Sequence, residues 1–389
     1  MSATVRLRKP LERAIRAGHP WIYRDAINTE ELPIGEPVTV LDRRGRHLGI
    51  GLVEAGPIAV RVFSTHPKDR FDAALLRSRI QAALALRDQV MPPHTNAYRW
   101  LHGEGDGLPG VVCDRYGVHA VLKLDGEAIL RHRELLASVL AELLPERGIA
   151  GALVRASRHS GVETELLFGD APPHELAVRE HGMTLLTDLW SGQKTGLFLD
   201  HRESRARIRS LTRGRSVLNL YGYTGGFSVA AGLGGAVHVT TVDSAKPAIE
   251  LALRTFERNR LDAAQHTAIV QDVPEFLRHA EASAARFDLI VADPPNFAPN
   301  SKSVEPALES YQKLHAACCT LAEQGGLYLA ASCSSHVTPA VFLDTLREGA
   351  RRARRMLTVL EQTRAPADHP RRLAFPEGDY LKIVLCRVE

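Results

Sequence analysis

The carboxyl-terminal half of the chain alternates short apolar runs with helical patterns, and this alternation limits its fold more than any other feature. The apolar runs predict five strands, at residues 217–220, 237–242, 267–270, 289–292 and 327–331. Helical patterns lie between them, notably at residues 248–258 and 308–321. Such alternation gives right-handed crossovers and a parallel sheet with helices on both faces. Two later runs, 357–360 and 380–386, are expected to close the sheet with an antiparallel edge.

The first 185 residues have a different pattern. Short β-rich runs at 37–41, 48–53 and 58–63 are separated by turn residues, which is typical of a small barrel. A helical pattern at 70–90 leads into a mixture of strands and one further helix. With 389 residues, the chain is too long for one compact core. We therefore predict three domains, namely a small β-barrel at 1–70, a central α+β domain at 71–185 and a Rossmann-like α/β domain at 186–389.

Composition and charge are those of a soluble protein without a membrane partner. Hydrophobic residues make up 44% and charged residues 24% of the chain. The first residues lack the apolar stretch of a signal peptide and no apolar run could span a bilayer, so we expect a cytoplasmic protein. The five cysteines show no CxxC or Cys/His ligand spacing, which argues against a disulfide framework and a metal site. A net charge of +4 is compatible with a nucleic-acid partner without requiring one.

The amino-terminal segment combines cationic residues with two aromatic ones. Trp21 and Tyr23 are accompanied in the sequence by Arg6, Arg8, Lys9, Arg13, Arg16 and Arg24. A basic surface with interleaved aromatic side chains can bind RNA phosphates and stack on bases. The same pattern also fits a solvated charged face over a structural tryptophan, and the sequence leaves both interpretations open.

A glycine-rich turn follows the first strand of the predicted sheet. Ligands of doubly wound sheets bind at the carboxyl ends of the strands, where the strand order reverses. Residues 219–227, NLYGYTGGF, reach this edge and enter an apolar helix. The glycines let the backbone approach a ligand, and the start of the helix offers free N–H groups. The candidate cofactor-binding residues of the turn are Tyr221, Gly222, Gly225, Gly226 and Phe227.

Acidic residues follow at the ends of the next two strands. Asp243 ends the second strand about 20 residues past Gly222, where an acidic side chain can accept both hydroxyls of a ribose. Asp272 follows the third strand, which would place a carboxylate near an adenine amino group. We expect both residues to contact a cofactor.

The fourth strand ends in Asp293-Pro294-Pro295-Asn296-Phe297. The glycine-rich turn has the form GxxGG rather than the GxGxxG that a pyrophosphate needs, which argues against NAD. An Asp-Pro-Pro element presents acceptors and a rigid turn to a planar base, which is a methyltransferase feature. We therefore predict S-adenosyl-L-methionine as the cofactor, with Asp293 beside it. The alternative is that Asp293 only caps the next helix and the prolines shape a loop.

Several segments spread over nearly the whole chain match one known family. They are residues 191–202 (SGQKTGLFLDHR), NLYGYTGGF, DPPNF, Ser332-Cys333-Ser334, HPWIY at 19–23, DGLPG at 106–110, DHP at 368–370 and EGDYLK at 377–382. Together they resemble the RlmI-type family of 23S rRNA (cytosine-C5) methyltransferases. The resemblance implies a PUA domain for RNA, a central EEHEE-type domain and a class I methyltransferase domain. It also implies that Gln193, Lys194, Thr195, Asp200 and Arg202 lie around the cofactor, with Asp243 on its ribose and Asp272 on its adenine.

Cys333 is the candidate nucleophile. Carbon 5 of cytosine is not nucleophilic enough to take a methyl group unless a thiolate first adds to carbon 6. Cys333 ends the fifth strand, on the same rim as Asp293, in a polar stretch where a structural cysteine would be unexpected. The resemblance implies a nucleophile here, because the family's 5-methylcytosine members have a Ser-Cys-Ser element at this position. Asp293 would hold the cytosine at N3 and at its amino group.

Other activities remain open. A relative that methylates guanine N7 needs no covalent catalyst, and such relatives tend to have Asn where Cys333 stands. Methyltransferases that act on exocyclic amines usually have an aromatic residue directly after the two prolines, where this chain has Asn296. A non-catalytic RNA-binding factor of ribosome assembly is a third alternative, against which the intact site residues argue. The expected partner is 23S rRNA, naked or in an assembling large subunit, and a homodimer is also considered.

Overall fold

The computed structural model describes residues 3–158 and 161–389, and the chain divides into two compact units. The first consists of Met1–Val178, Asp188–Leu199 and Ala367–Gly378. The second consists of Arg179–Thr187, Asp200–Pro366 and Asp379–Glu389. The first unit thus includes the two predicted amino-terminal domains as far as Val178, together with two segments of the predicted third one. The division at residues 70 and 185 stays a prediction.

A five-stranded sheet forms the amino-terminal part of the first unit. Its elements are β1 (Ala3–Arg6), α1 (Glu12–Arg16), β2 (Trp21–Tyr23), β3 (Pro37–Leu41), β4 (His47–Val53) and β5 (Ile58–Ser64). The strand order is β1-β3-β4-β5-β2, and the three predicted β-rich runs are β3, β4 and β5. Apolar side chains of these strands and Ile15 of α1 enclose a buried core.

A second five-stranded sheet completes the first unit. Its elements are α2 (Ala73–Val90), β6 (Ala97–His102), β7 (Val111–Tyr116), β8 (His119–Leu124), α3 (Glu127–Leu130), α4 (Arg133–Leu143), β9 (Gly151–Arg158) and β10 (Gly161–Gly169). The order is β10-β9-β8-β7-β6, so the sheet has one strand more than an EEHEE arrangement. Helices α2 and α4 pack on it in a core that also contains Leu52 and Phe63 of the amino-terminal sheet. The two predicted amino-terminal domains therefore share part of their interior.

Parallel strands and helices alternate through the second unit. A two-stranded sheet of β11 (Leu176–Glu180) and β12 (Met183–Thr187) precedes them. The following elements are α5 (Arg202–Leu211), β13 (Ser216–Leu220), α6 (Gly226–Leu233), β14 (His238–Asp243), α7 (Lys246–Arg258), β15 (His266–Val270), α8 (Val273–Ala282), β16 (Phe287–Ala292), α9 (Val304–Leu321), β17 (Ala322–Ser332), α10 (Pro339–Arg352), β18 (Leu357–Thr363) and β19 (Lys382–Val388).

The large sheet of the second unit is the predicted doubly wound one. Its order is β15-β14-β13-β16-β17-β19-β18, with β13 to β17 parallel and β18 and β19 antiparallel at the edge. Helices α8, α9 and α10 pack on one face and α5, α6 and α7 on the other. The predicted α/β class is therefore confirmed. Because β14 and β16 flank β13, the strand order reverses at β13, which is where such sheets bind ligands.

Across the described parts of the chain, no helix combines the length and apolar character needed to span a bilayer.

Candidate active site

The turn after β13 has an unusual backbone and little room. Tyr221 and Tyr223 both have left-handed backbone angles, with φ of 56° and 46°, which bulky side chains rarely adopt. Between them, a Cβ atom on Gly222 would lie 2.4 Å from Cγ2 of Thr241 and 3.0 Å from Nδ2 of Asn219. Glycine alone fits here without displacing a neighbour. Strain of this kind occurs at ligand-binding turns, where the surrounding structure holds it in place.

Asp243 fastens this turn to the end of β14. Its Oδ2 accepts a hydrogen bond of 2.9 Å from the backbone N–H of Tyr223, and its Oδ1 accepts one of 2.9 Å from that of Ala245. The carboxylate is half-buried, and each of its oxygens has a second lone pair. Asp243 therefore has the acceptor capacity for two hydroxyl groups of a ligand.

Asp272 caps helix α8. It accepts a hydrogen bond of 3.3 Å from the backbone N–H of Glu275 through Oδ1, and its side chain is exposed. Burial raises the pKa of Tyr221, and the charges of Cys318 and Asp272 add to the effect. Asp272 and Tyr221 follow the ends of β15 and β13, the strands on either side of β14. A carboxylate offers two oxygens, of which the helix cap uses one.

Helix α6 starts directly after the turn. Gly225 has φ of 77°, and a Cβ atom there would lie 2.8 Å from that of Ala252 in α7. A Cβ atom on Gly226 would lie 3.0 Å from Cδ of Arg205. Phe227 is buried in the core on this face, with the Arg205 guanidinium 5.9 Å from its ring centroid. The glycines thus allow close helix packing, and the contact of Phe227 with a cofactor stays a prediction.

Asp293 follows β16 and pairs with a buried histidine. Nε2 of His201 lies 3.1 Å from Oδ2 of Asp293, and the two side chains are 3% and 20% exposed. The imidazole also packs edge-on against Phe227. The alternative in which Asp293 caps the next helix is wrong, because Asn300 caps the short turn that leads into α9. Asp293 is instead an oriented, partly exposed carboxylate.

Asp200 and Arg202 lie on either side of His201 in the sequence. The Tyr380 hydroxyl donates a hydrogen bond of 2.7 Å to Oδ2 of Asp200. Nε of Arg202 donates one of 2.8 Å to Glu203. Both Asp200 and Arg202 are buried in the second unit, and their contacts with a cofactor stay predictions.

Cys333 directly follows β17 and is half-buried. The hydroxyls of its neighbours Ser332 and Ser334 lie 2.9 and 3.0 Å from the Tyr311 hydroxyl. Ser334 also donates a hydrogen bond of 2.7 Å to Oδ1 of Asn296 in the DPPNF element. These bonds fix the backbone on both sides of the thiol and tie the end of β17 to the loop after β16.

Two further groups lie close to Cys333. Burial raises the pKa of Tyr311, and the charges of Cys333 and Asp293 add to the effect, so the thiol and the carboxylate share this neighbour. Burial lowers the pKa of Lys382 to about 8, although the charges of Cys333 and Asp379 oppose the shift. A cation beside a thiol favours the thiolate.

The other four cysteines are buried in the cores. Burial raises the pKa of Cys113 and of Cys318, and it raises that of Cys319 and of Cys386 to about 12. Thiols of this kind are inert near neutral pH. Cys333 is the most accessible thiol of the chain.

The remaining predicted cofactor residues belong to the first unit. Gln193 and Lys194 are exposed, whereas Thr195 is buried. The Thr195 hydroxyl donates a hydrogen bond of 2.5 Å to Asp114 and lies 2.9 Å from the Tyr116 hydroxyl. Thr195 therefore anchors this loop within the first unit, and the contact of the three residues with a cofactor stays a prediction.

Arg155 of β9 organises the same loop. Its Nη1 donates hydrogen bonds of 2.5 Å to the carbonyl oxygens of Gly192 and Lys194, and its Nη2 donates to those of Leu189 and Trp190 at 3.1 and 2.9 Å. The side chain is 4% exposed. One buried guanidinium thus binds four carbonyl groups of the loop that holds Gln193 and Lys194.

Sequence reasoning assigned no role to four of these side chains, namely His201, Tyr311, Lys382 and Arg155. His201 and Lys382 lie inside the DHR and EGDYLK segments, so the family likeness drew attention to them without indicating what they do. Their partners are distant in the sequence, and a single sequence gives no signal for such contacts. For Arg155, the sequence pattern predicts a position in a strand and no role for the side chain.

The amino-terminal aromatic residues are structural to a large extent. Nε1 of Trp21 donates a hydrogen bond of 2.9 Å to Glu104. The Phe375 ring packs edge-on against the indole at 4.6 Å, and the buried Arg61 guanidinium lies 5.9 Å from it. Tyr23 remains 38% exposed. For Trp21 the structure favours the structural interpretation over base stacking.

Comparisons with known proteins were made for the whole chain. A family described as S-adenosylmethionine-dependent methyltransferase matches residues 151–383, and one described as a PUA-like domain matches residues 5–65. The chain is 35% identical to Ribosomal RNA large subunit methyltransferase I of Shigella boydii and to the protein of that name from Escherichia coli, with the full length of each chain covered. This chain belongs to the large-subunit rRNA methyltransferase I family.

Solved structures agree with membership of this methyltransferase family. A SAM-dependent methyltransferase from Streptococcus mutans is 25% identical with a TM-score of 0.89, over 99% of this chain and 100% of that one. SMU.776, a methyltransferase complexed with SAH, has the same identity and TM-score over the full length of both chains. The predicted S-adenosyl-L-methionine cofactor and the PUA-like amino-terminal region are thereby confirmed.

Proposed function

We propose that this methyltransferase acts on large-subunit ribosomal RNA and forms 5-methylcytosine in 23S rRNA through a transient covalent bond to Cys333. The observation that carries the proposal is the position of Cys333, a half-buried thiol beside Lys382. Cys333 follows β17, and Asp293 follows the neighbouring strand β16. RNA as the substrate is supported by the PUA-like region and by the names of the relatives.

The residues at the end of the sheet fit the cofactor. Gly222 lies in the strained turn after β13, at the point of the sheet where the strand order reverses and such folds bind ligands. The Asp243 carboxylate can accept hydrogen bonds from the two ribose hydroxyls. The Asp272 carboxylate can accept one from the adenine amino group. When bound, S-adenosyl-L-methionine supplies an electrophilic methyl group.

Cys333 would act by addition to the base. Its thiolate forms a bond from Sγ to carbon 6 of the cytosine, and the electron pair of the C5–C6 double bond makes carbon 5 nucleophilic. Carbon 5 then takes the methyl group, while the bond between that group and the cofactor sulfur breaks and its electron pair stays on the sulfur. Removal of the proton from carbon 5 restores the double bond, breaks the Sγ–C6 bond and returns Cys333 as a thiolate.

Asp293 would hold the cytosine during this addition. The base gains negative charge on N3 when the thiolate adds, so Asp293 in its protonated form would donate a proton to N3 and take it back when the Sγ–C6 bond breaks. The bond between Asp293 and His201 orients the carboxyl group and brings a titratable imidazole within 3.1 Å of it. We therefore assign His201 as a positioning residue for Asp293. Because carbon 6 is inaccessible in a stacked helix, the target nucleotide would be unpaired or extruded.

Trapping of the covalent adduct tests the proposal. Transcribed 23S rRNA containing 5-fluorocytidine should form a protein–RNA complex that survives denaturing electrophoresis, because fluorine at carbon 5 blocks the release step. Cys333→Ser should abolish both adduct and turnover, whereas the buried-thiol control Cys319→Ser should retain both. Full methylation by Cys333→Ser would overturn the covalent mechanism and favour the guanine N7 alternative.

A further inference from the structure

Two arginines of the first unit meet at a cavity that the proposed reaction does not use. The cavity has a volume of about 270 Å³ and is lined by the amino-terminal sheet, α2 and the segment Ala367–Gly378. Arg79 of α2 and Arg372 of that segment both form its wall. A Cβ atom on Gly107 would lie 2.7 Å from Nη2 of Arg372 and 3.1 Å from Nη1 of Arg79. The two guanidinium groups therefore approach the same point above Gly107.

The acidic groups near this pair are engaged elsewhere. Glu104 accepts hydrogen bonds from Arg61 at 2.8 Å and from Trp21 at 2.9 Å. Asp106 binds both Nη atoms of Arg87, at 2.7 and 2.8 Å.

Neither arginine of the pair has a carboxylate partner of its own. In the described ranges of the chain, no carboxylate oxygen lies within 4.0 Å of either guanidinium, and Arg372 donates a hydrogen bond of 3.2 Å to the carbonyl oxygen of Gly18. Burial and the charge of Arg79 together lower the pKa of Arg372, although Glu104 and Asp106 oppose the shift. The pair is thus a concentration of positive charge that Glu104 and Asp106 offset only in part, since the pKa of Arg372 stays below its usual value.

The cavity wall contains one acidic residue. Asp69 accepts a hydrogen bond of 2.5 Å from the Ser64 hydroxyl, and its other oxygen lies 3.4 Å from Nδ1 of His66. Both oxygens therefore have partners within the wall. The arginine pair remains the strongest recognition element of the cavity, and its chemistry is that of an anion site.

We propose that Arg79 and Arg372 clamp a phosphate group of the RNA backbone in this cavity. The RNA as substrate rests on the proposed function, whereas the anion site rests on the geometry alone. Guanidinium groups bind phosphate oxygens through paired N–H donors, and two of them around one phosphate neutralise its charge. A side chain at residue 107 would displace both guanidinium groups, so glycine is needed there for the pair to form. The proposed RNA contact therefore lies on α2 and the segment Ala367–Gly378 rather than on Trp21.

RNA affinity of the full-length protein tests the clamp. Binding of a fluorescent 23S rRNA fragment is measured by anisotropy over a series of salt concentrations, for the wild type, Arg79→Gln, Arg372→Gln and the double variant. Loss of one phosphate contact should weaken binding about tenfold and reduce the salt slope by about 1. Arg77→Gln is the matched control, since Arg77 lies on the same helix but pairs with Glu142, and it should bind as the wild type does.

A test with inorganic phosphate distinguishes an RNA phosphate from a small phosphate compound as the anion that binds in the cavity. Phosphate should raise the Tm of the wild type relative to chloride at equal ionic strength, and it should leave the Tm of the double variant unchanged. Phosphate that stabilises the wild type while RNA binding is equal in all variants would overturn the RNA assignment and point to a small phosphate compound. Equal RNA binding without any phosphate effect would overturn the site itself. Cofactor-dependent methylation by the variants at saturating RNA would show that the proposed function stands in either case.

Discussion

Lys382 donates a hydrogen bond of 2.6 Å to the carbonyl oxygen of Ser334, the residue directly after Cys333. It donates a second one of 2.9 Å to the carbonyl oxygen of Tyr380. β19, which Lys382 begins, pairs antiparallel with β17, and this pairing brings the ammonium group to the end of β17. The catalytic thiol of the proposed mechanism therefore has a fixed cation beside it, from a strand about 50 residues away in the sequence.

Lys382→Met should slow the alkylation of Cys333. Below pH 8 Lys382 is charged in the wild type, since burial lowers its pKa to about 8, and a cation beside a thiol favours the thiolate. Without it, we expect iodoacetamide to react about tenfold more slowly near neutral pH. The difference should shrink above pH 8, where Lys382 loses its proton. The exposed Lys313→Met is the control, and identical pH profiles for Lys382→Met and the wild type would refute this role.

The alkylation assay depends on the selectivity of the native protein for one thiol. The four other cysteines are buried and their pKa values are raised. Mass spectrometry should therefore find one label per chain under native conditions, lost in Cys333→Ser. All five cysteines should react after unfolding.

Asp243→Asn should weaken S-adenosyl-L-methionine binding by about 10- to 100-fold, because hydrogen bonds to a charged acceptor contribute about 1.5–3 kcal/mol. Asparagine keeps the shape and one acceptor oxygen, so it disturbs the bonds from Tyr223 and Ala245 less than alanine does. Calorimetric titration gives the affinity, and circular dichroism checks the fold. Asp262→Asn, at an exposed helix cap, is the control. An unchanged affinity in Asp243→Asn would remove the residue from the cofactor site.

The sequence predicted the second unit well because its signals are local. Buried parallel strands are continuous apolar runs, so all five of them and the helices at 248–258 and 308–321 could be placed from hydrophobic pattern alone. Asp243, Asp293 and Cys333 could be placed at one edge because the carboxyl ends of parallel strands meet there. The edge strand β6 was missed because its sequence, AYRWLH, lacks both alternation and continuous apolarity.

The contacts that complete the site could not be predicted. Lys382 and Ser334 are brought together by strand pairing, and His201 meets Asp293 from a segment that precedes the sheet. Charged residues buried by such long-range contacts look like ordinary surface residues in the sequence. Leu52 and Phe63 likewise join a core with later residues, a contact that the pattern of the first 70 residues does not indicate.

Arg155→Met should loosen the loop that contains Gln193 and Lys194. Removal of the guanidinium leaves four carbonyl groups of the loop without their donors, and unsatisfied buried groups cost about 1–3 kcal/mol each. We expect faster cleavage by trypsin after Lys194 and, if the loop contacts the cofactor, weaker cofactor binding. Arg115→Met, a half-buried arginine of the same sheet, is the control. A cleavage rate equal to that of the wild type would contradict the anchoring role.

Gly222→Ala should destabilise the turn after β13, and Thr241→Ser should relieve much of the effect. The added Cβ would lie 2.4 Å from Cγ2 of Thr241, and overpacking of this kind costs about 1–3 kcal/mol. Serine removes that methyl group but keeps the hydroxyl, which lies 2.6 Å from Oγ of Ser228 and 2.7 Å from Nε2 of His266.

The double variant Gly222→Ala/Thr241→Ser measures this relief. The methyl group lost at residue 241 and the one gained at 222 occupy the same space, so their effects on the free energy of unfolding should not add. Relief should be partial, because Nδ2 of Asn219 also lies 3.0 Å from the new Cβ. Urea unfolding of the four proteins gives the coupling energy, and titration with S-adenosyl-L-methionine shows whether affinity recovers with it. Strictly additive changes in the free energy of unfolding would contradict the assignment of Thr241 as the residue that excludes a side chain at position 222.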